Sequence, residues 1–326
     1  MSPTISSVTP LRAVEGGRVT LHGTALPVDA VPRVTVGGQP ALVAFASSSR
    51  LAIVVPSDVD GDVPIRIAGT PGETAYLSVG QPWATGLHQV DSPAFDGEGN
   101  LYVTYSGSPR GQETPVSVFR VTPAGTREPL VSGIVNATSL TVGPEGRLYV
   151  SSRFDGVVYR VGQDGAYEQV ASNLGVACGI AFDAEGWLYV GDRSGTIFRV
   201  RDGAVHPFAT LPSSPAAFHL AVSPGGELFV SAPTLSTYDH IYRLDRGGQV
   251  RSVLASFGRP QGLAFSPVDG MLHVVDALAG HSGLYRLRDL DGEPELVVAG
   301  PGLVGVAFGP SGELAVSTAD TAYRFG

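Results

Sequence analysis

The sequence predicts an all-β chain: a small β-sandwich over residues 1–80, then a six-bladed β-propeller over residues 81–326. Three observations carry this. The chain holds 43 Gly and 25 Pro among 326 residues with no Gly-X-Y period, so it is rich in tight turns without being collagen-like. Short apolar runs recur in a fixed order every 40–47 residues. No amphipathic helical period competes with them.

Each copy opens on a run such as Ser92-Pro93-Ala94-Phe95, Ser139-Leu140-Thr141-Val142, Gly179-Ile180-Ala181-Phe182, His219-Leu220-Ala221-Val222, Gly262-Leu263-Ala264-Phe265 or Gly305-Val306-Ala307-Phe308. A Gly-containing turn leads to a second run: Leu101-Tyr102-Val103, Leu148-Tyr149-Val150, Leu188-Tyr189-Val190, Leu228-Phe229-Val230, Leu272-His273-Val274 and Leu314-Ala315-Val316. A third run ends on an aromatic-Arg pair, from Phe119-Arg120 to Tyr323-Arg324, and a fourth precedes the next copy. Four strand-like runs in six copies give six four-stranded blades. Alternation places each aromatic between blades and each Arg against an acid or carbonyl of the next blade. The last copy stops after its third run, so Ala84 to Gln89 is expected to supply its fourth strand and close the ring.

Residues 1–80 lack the repeat but hold strand-like runs such as Arg18-Val19-Thr20-Leu21-His22 and Leu51-Ala52-Ile53-Val54-Val55. Thr4-Ile5-Ser6-Ser7-Val8-Thr9-Pro10 with Gly16-Gly17-Arg18-Val19-Thr20-Leu21-His22-Gly23 resembles the opening of a TIG/IPT immunoglobulin-like domain. The boundary is expected near Gly80-Gln81-Pro82.

Composition narrows the partners. Hydrophobic residues are 43% and charged residues 16%, enough apolar content for a packed core. Net charge is −9 with no basic run, which argues against nucleic acid and anionic membranes. All 21 basic residues are Arg, so Schiff-base chemistry and a Walker-type phosphate loop are excluded. Cys178 is the single cysteine; no intrachain disulfide or CxxC metal site can form. No apolar run reaches membrane-spanning length. The opening MSPTISSVTP does not read as a secretory signal, which gives a cytoplasmic expectation, or a secreted or periplasmic one if a signal has been removed.

The candidate site follows from strand direction. First-strand starts and the loops joining second to third strands share one face, and those loops are longest in copies one, four and five. The site is therefore expected at the channel mouth where first strands begin. Asp91, Cys178, Phe218, His219 and Gln261 should converge there, with Arg110, Tyr238 and His281 on the rim and Phe218 as an apolar wall. Residues 83–326 resemble the regucalcin/gluconolactonase (SMP-30-like) superfamily of six-bladed propellers, with NHL-repeat proteins as neighbours. Asp91-Ser92-Pro93 is similar to that family's Glu-Ser-Pro, whose acid binds a divalent metal. Pro260-Gln261-Gly262 is similar to its Pro-Asp-Gly, and its Asn ligand falls on Phe218. The resemblance implies a calcium, zinc or manganese site using Asp91 and Gln261, with one acid shortened, one replaced by an amide and one ligand lost.

An alternative metal set joins His219, His240 and His281, with Asp239 and Asp276 nearby. A turn or loop-backbone bond is the alternative role of Asp91. Asp192 and Asp276, ending second strands, are expected to fix loops. Asp58-Val59-Asp60-Gly61-Asp62 resembles the start of a calcium loop but lacks its later Glu. Two function classes follow. One is a propeller binding a small organic ligand or a protein; the other is a metal-dependent lactonase-type hydrolase. The eroded ligand set favours the first.

Overall fold

A computed structural model describes residues 3–28, 30–70, 74–106, 115–253, 257–277 and 281–326. All regular structure among them is β-strand. Five four-stranded antiparallel sheets stand as separate propeller blades. Their first strands are Ala94–Phe95, Ala137–Val142, Ala177–Phe182, His219–Val222 and Gly305–Phe308. The copy between Pro260–Phe265 and Glu295–Ala299 has the same four antiparallel strands but is not a separate sheet. The two-residue strand Arg12–Ala13 pairs in parallel with both Glu295–Ala299 and Ala75–Val79, fusing this copy to the N-terminal strands as one twelve-stranded sheet. The sequence predicts six separate blades; the structure has five and this merged copy. The merger was invisible because it depends on one short strand outside the repeat.

Second strands are buried from end to end, as in Leu148–Ser152 and Leu188–Asp192, because neighbouring copies cover both faces. Fourth strands are the exposed outer rim, as in Arg127–Val131. Seven buried apolar clusters form the cores. One mixes Phe218, Leu220, Leu228 and Val230 with Tyr189 and Ile197 of the preceding copy.

The turn between first and second strands explains the repeat chemically. Asp96 Oδ1 accepts from the amides of Glu98 and Asn100, and Asp183 Oδ1 from those of Glu185 and Trp187. Gly99 and Gly186 complete these turns at φ 81° and 85°, a region other residues avoid. Tyr102 and Tyr189 hydroxyls then donate back to the same acids at 2.8 and 3.1 Å. In the three copies with a Tyr after this Leu, the Tyr is thus tied to its own turn, Tyr149 through Glu145.

The recurring Arg residues depart from expectation. Arg120, Arg160 and Arg286 bind Glu128, Glu168 and Glu295 of their own fourth strands, and Arg243 binds Glu227 of its own copy. Antiparallel register sets these partners, since Arg120 lies opposite Glu128 and Arg160 opposite Glu168. These pairs are partly exposed and worth about 0–1 kcal/mol each. Arg324 alone keeps the expected pattern, donating to the Pro123 carbonyl of the first copy at 2.8 Å.

Ring closure uses an N-terminal strand. Gln81–Ala84 pairs antiparallel with Ala322–Phe325 as the fourth strand of the last sheet. The pairing strand lies a few residues earlier than the expected Ala84 to Gln89. At the inner edge a Cβ on Gly305 would collide with the Asp91 carbonyl oxygen, so the last first strand meets the first copy at backbone distance.

In the N-terminal part, Gln39–Ser47 pairs with Arg50–Val54 on one side and Val34–Val36 on the other, with a bulge between Val43 and Phe45. Val19, Leu21 and Ile53 pack there against Val36, Ile65 and Leu77 in one core. The sheet runs on past residue 80: the Val14 amide donates to Ala299 at 2.9 Å, and Val14 packs with Val298, Leu303 and Phe325.

Candidate functional site

Six equivalent repeat positions lie at or near the first-strand starts: Ser92, Ser139, Gly179, His219, Gly262 and Gly305. Five are small, and the backbones close together around them. The Leu140 amide donates to the Ser92 carbonyl at 3.2 Å and the Gly262 amide to Val304 at 2.8 Å. A Cβ on Gly179 would strike the Phe218 carbonyl.

His219 is the one large side chain of the six, 1% exposed. It lies against the first copy, three repeats away in sequence. Its Nδ1 is 3.1 Å from Ser92 Oγ, and its Nε2 is 3.2 Å from Asp91 Oδ1. The Nε2–Oδ1 approach is off the hydrogen-bond direction, and Nε2 has no other partner. Asp91 is buried. Burial pushes its carboxyl above the usual range, while the charges of His219 and Arg153 pull the other way. Arg153 itself is anchored by Gln89 Oε1 at 2.7 Å and Ser106 Oγ at 3.3 Å.

Cys178 is fully buried, and its thiol is pushed up to about 12, first by burial and then by the Asp91 charge. A thiol with that value is protonated at ordinary pH and is a poor nucleophile. Native protein at pH 8 should therefore not react with Ellman's reagent, and one thiol per chain should appear in guanidinium. Fast reaction of the native protein would contradict the burial.

Phe218 is placed differently from expectation. It is 0% exposed and packs between the third and fourth copies with Tyr189, Ile197 and Leu220. Strand alternation sends Phe218 and Leu220 to this inter-copy face, opposite to His219. Gly191 makes the room: a Cβ there would come within 3.0 Å of the Phe218 Cβ. The same place in the other five second strands holds Thr104, Ser151, Ser231, Val275 or Ser317. Phe218 is core and no wall of the mouth.

The expected rim residues lie at the surface. Tyr238 is 59% exposed, and His240 and His281 are exposed. His240 lies beside the Tyr242 ring, and the His281 carbonyl accepts from the Tyr285 hydroxyl at 2.5 Å. Arg110 lies outside the described residues. Gln261 is half-buried, and its carbonyl accepts from Ser231 Oγ at 2.5 Å. Asp239 accepts from the Thr234 amide and hydroxyl, and Asp276 from the amides of Gly258 and Arg259. Asp192 likewise accepts from the Val176 amide at 2.8 Å, so both second-strand acids fix loops.

Among the described residues no three His, Cys, Asp or Glu side chains gather closely enough to hold a metal ion. The His219–His240–His281 set is therefore not gathered as a group of metal ligands, and the carboxylate of the Asp91–Gln261 pair faces His219.

An open cavity lies at the other end of the first strands. It measures about 470 Å³ and is lined by Ser92–Gly97, Leu140–Val142, Ile180–Phe182, Leu220–Val222, Leu263–Phe265 and Val306–Pro310. Leu140, Ile180, Leu220 and Leu263 point into inter-copy cores, so the cavity meets mainly strand backbone and small side chains. Ser92 borders this cavity and also touches His219. In the sequence Ser92 stands out only as a repeat position and as the middle of Asp91-Ser92-Pro93, with no role of its own. The available signal was His219, the sole bulky opener among six. A second cavity of about 670 Å³ lies between the N-terminal strands and the last copy, around Asp60, Asp62, Trp83, Glu98, Glu313 and Arg324.

Residues 3–79 match the family model of the IPT/TIG domain. Residues 179–200 match that of the strictosidine synthase-like N-terminal region. No curated protein matches the chain by sequence. Several solved structures share the fold. A gluconolactonase from Xanthomonas campestris is 16% identical, with 93% of this chain and 97% of that one covered and a TM-score of 0.63. An auxiliary nutrient binding protein from Bacteroides thetaiotaomicron is 15% identical, with 100% and 98% covered and a TM-score of 0.58. A virginiamycin B lyase from Staphylococcus aureus is 12% identical, with 73% and 94% covered and a TM-score of 0.52. At these identities the likeness is one of fold.

Proposed function

We propose that the chain is a ligand-binding propeller protein whose small organic ligand enters the axial cavity from the face where first strands end. On this reading the merged copy at residues 260–299 counts as a sixth blade, and the ring belongs with gluconolactonase-like and NHL-type propellers. One observation carries the choice of site. The end where first strands begin is occupied by His219, Asp91 and close backbones, whereas the other end is open over about 470 Å³. A cavity of that size suits a small ligand. Each first strand is the last of its sheet, so beyond the few inter-copy bonds at Leu140 and Gly262 its backbone edge suits a polar, carbonyl- or hydroxyl-bearing ligand. The fold likeness to a nutrient-binding protein over the full chain supports a binding role. The net charge of −9 speaks against nucleic acid or anionic membrane as the partner.

Thermal-shift measurements against monosaccharides and aldonolactones, with and without EDTA, test this. A ligand-dependent rise in melting temperature that survives EDTA is expected. Stabilisation and lactone turnover that both require added calcium, zinc or manganese would overturn it in favour of the metal-dependent hydrolase.

A further inference from the structure

The axial cavity is bordered by Ser92, whose hydroxyl stands in series with a buried imidazole and a carboxylate behind it. Ser92 Oγ is 3.1 Å from His219 Nδ1, and His219 Nε2 is 3.2 Å from Asp91 Oδ1. Ser92 is half-buried and borders the cavity, while His219 lies beneath it with 1% exposure. Ser139, the equivalent residue of the next copy, instead accepts from the Ile180 amide at 3.3 Å. Only the first copy places its serine beside an imidazole. Resting on the reading of the axial cavity as the ligand site, we propose that Ser92 is a nucleophile, with His219 as its base, acting on a carboxylic ester or lactone bound there.

The chemistry closes without a metal or cofactor. The carboxylate beside Nε2 favours the tautomer with its proton on Nε2, which leaves Nδ1 free to accept. Ser92 Oγ forms a bond to the acyl carbon as its proton passes to Nδ1. The carbon–oxygen bond to the leaving alkoxide breaks, and that oxygen takes the proton from Nδ1. Water then adds to the acyl-Ser92 ester, its proton again going to Nδ1. Release of the carboxylic acid returns the proton to Ser92. Asp91 is a positioning residue, acting through the imidazole.

A fluorophosphonate probe with peptide mass spectrometry tests the nucleophile. A parallel thiol probe, methyl methanethiosulfonate on Ser92→Cys in a Cys178→Ala background, tests access alone. Wild-type protein should be labelled at Ser92. Ser92→Ala should abolish labelling, and His219→Gln should slow it about 100-fold or more at an unchanged melting temperature. Should His219→Gln fail to fold, the Asp91 variants decide: Asp91→Asn should slow labelling about tenfold or more, and Asp91→Glu should recover part of the rate. Unlabelled wild-type protein whose Ser92→Cys thiol still reacts would overturn the nucleophile and leave the cavity reading intact. If neither probe reacts, the cavity does not reach Ser92 and both readings fall. Labelling as fast in folded His219→Gln as in wild type would also overturn the proposal.

Discussion

A chain lacking residues 1–90 should show no cooperative thermal transition by circular dichroism. Gln81–Ala84 is the fourth strand of the last sheet, so its loss bares the Ala322–Phe325 edge. The deletion also removes Trp83, Ala84, Leu87 and Val90 from a core shared with Leu101, Val103, Val121, Ala315 and Ala322. Truncating one buried Trp to Ala costs about 3–5 kcal/mol, against a total stability of about 5–15 kcal/mol. The strand and four core side chains together exceed that margin. A chain lacking only residues 1–80 keeps the closing strand but loses Val14 from the core and the Arg12–Ala13 pairing with Glu295–Ala299. It should fold and melt below the full chain. Wild-type melting of both truncations would contradict the closure.

Phe218→Ala should cost about 3–5 kcal/mol, the range for emptying a buried aromatic site. For a domain of this size that lowers the melting temperature by at least about 6 °C. Phe218 as an apolar wall of the mouth, as the sequence suggests, would instead change ligand affinity more than stability. The structure reverses it because Phe218 fills the space above Gly191, where a Cβ would meet its ring at 3.1 Å. Tyr238→Ala, at an exposed rim position, should stay within about 0.5 kcal/mol of wild type. Thermal melts of the two variants check the contrast. Equal melting temperatures would return Phe218 to the mouth.

What the sequence made legible was local and periodic. The Leu-Tyr-Val runs, the turn acids and the Gly at each first hairpin repeat because every copy solves the same local problem. The closing strand was readable from the last copy's missing fourth run. The merger through Arg12–Ala13 was not, because two residues carry no period. In the site, Asp91 and His219 were both placed at first-strand starts, and the structure brings them together. The expected convergence did not extend to a direct contact, which depends on five neighbouring positions being small enough for one imidazole to reach the first copy. Gln261, His240 and His281 were matched by family motif or residue type, which fixes neither side-chain direction nor burial. Phe218 was assigned by alignment to a ligand position, and only its packing partner Gly191 marked it as core.

The most direct measurement is a crystal structure of the protein with whichever monosaccharide or lactone raises its melting temperature. The ligand is expected in the axial cavity, bordered by Ser92 and by the strand edges near Leu140, Ile180, Leu220 and Leu263. A ligand seated instead on the face of Tyr238 and His281, or between the N-terminal strands and Arg324, would contradict the account.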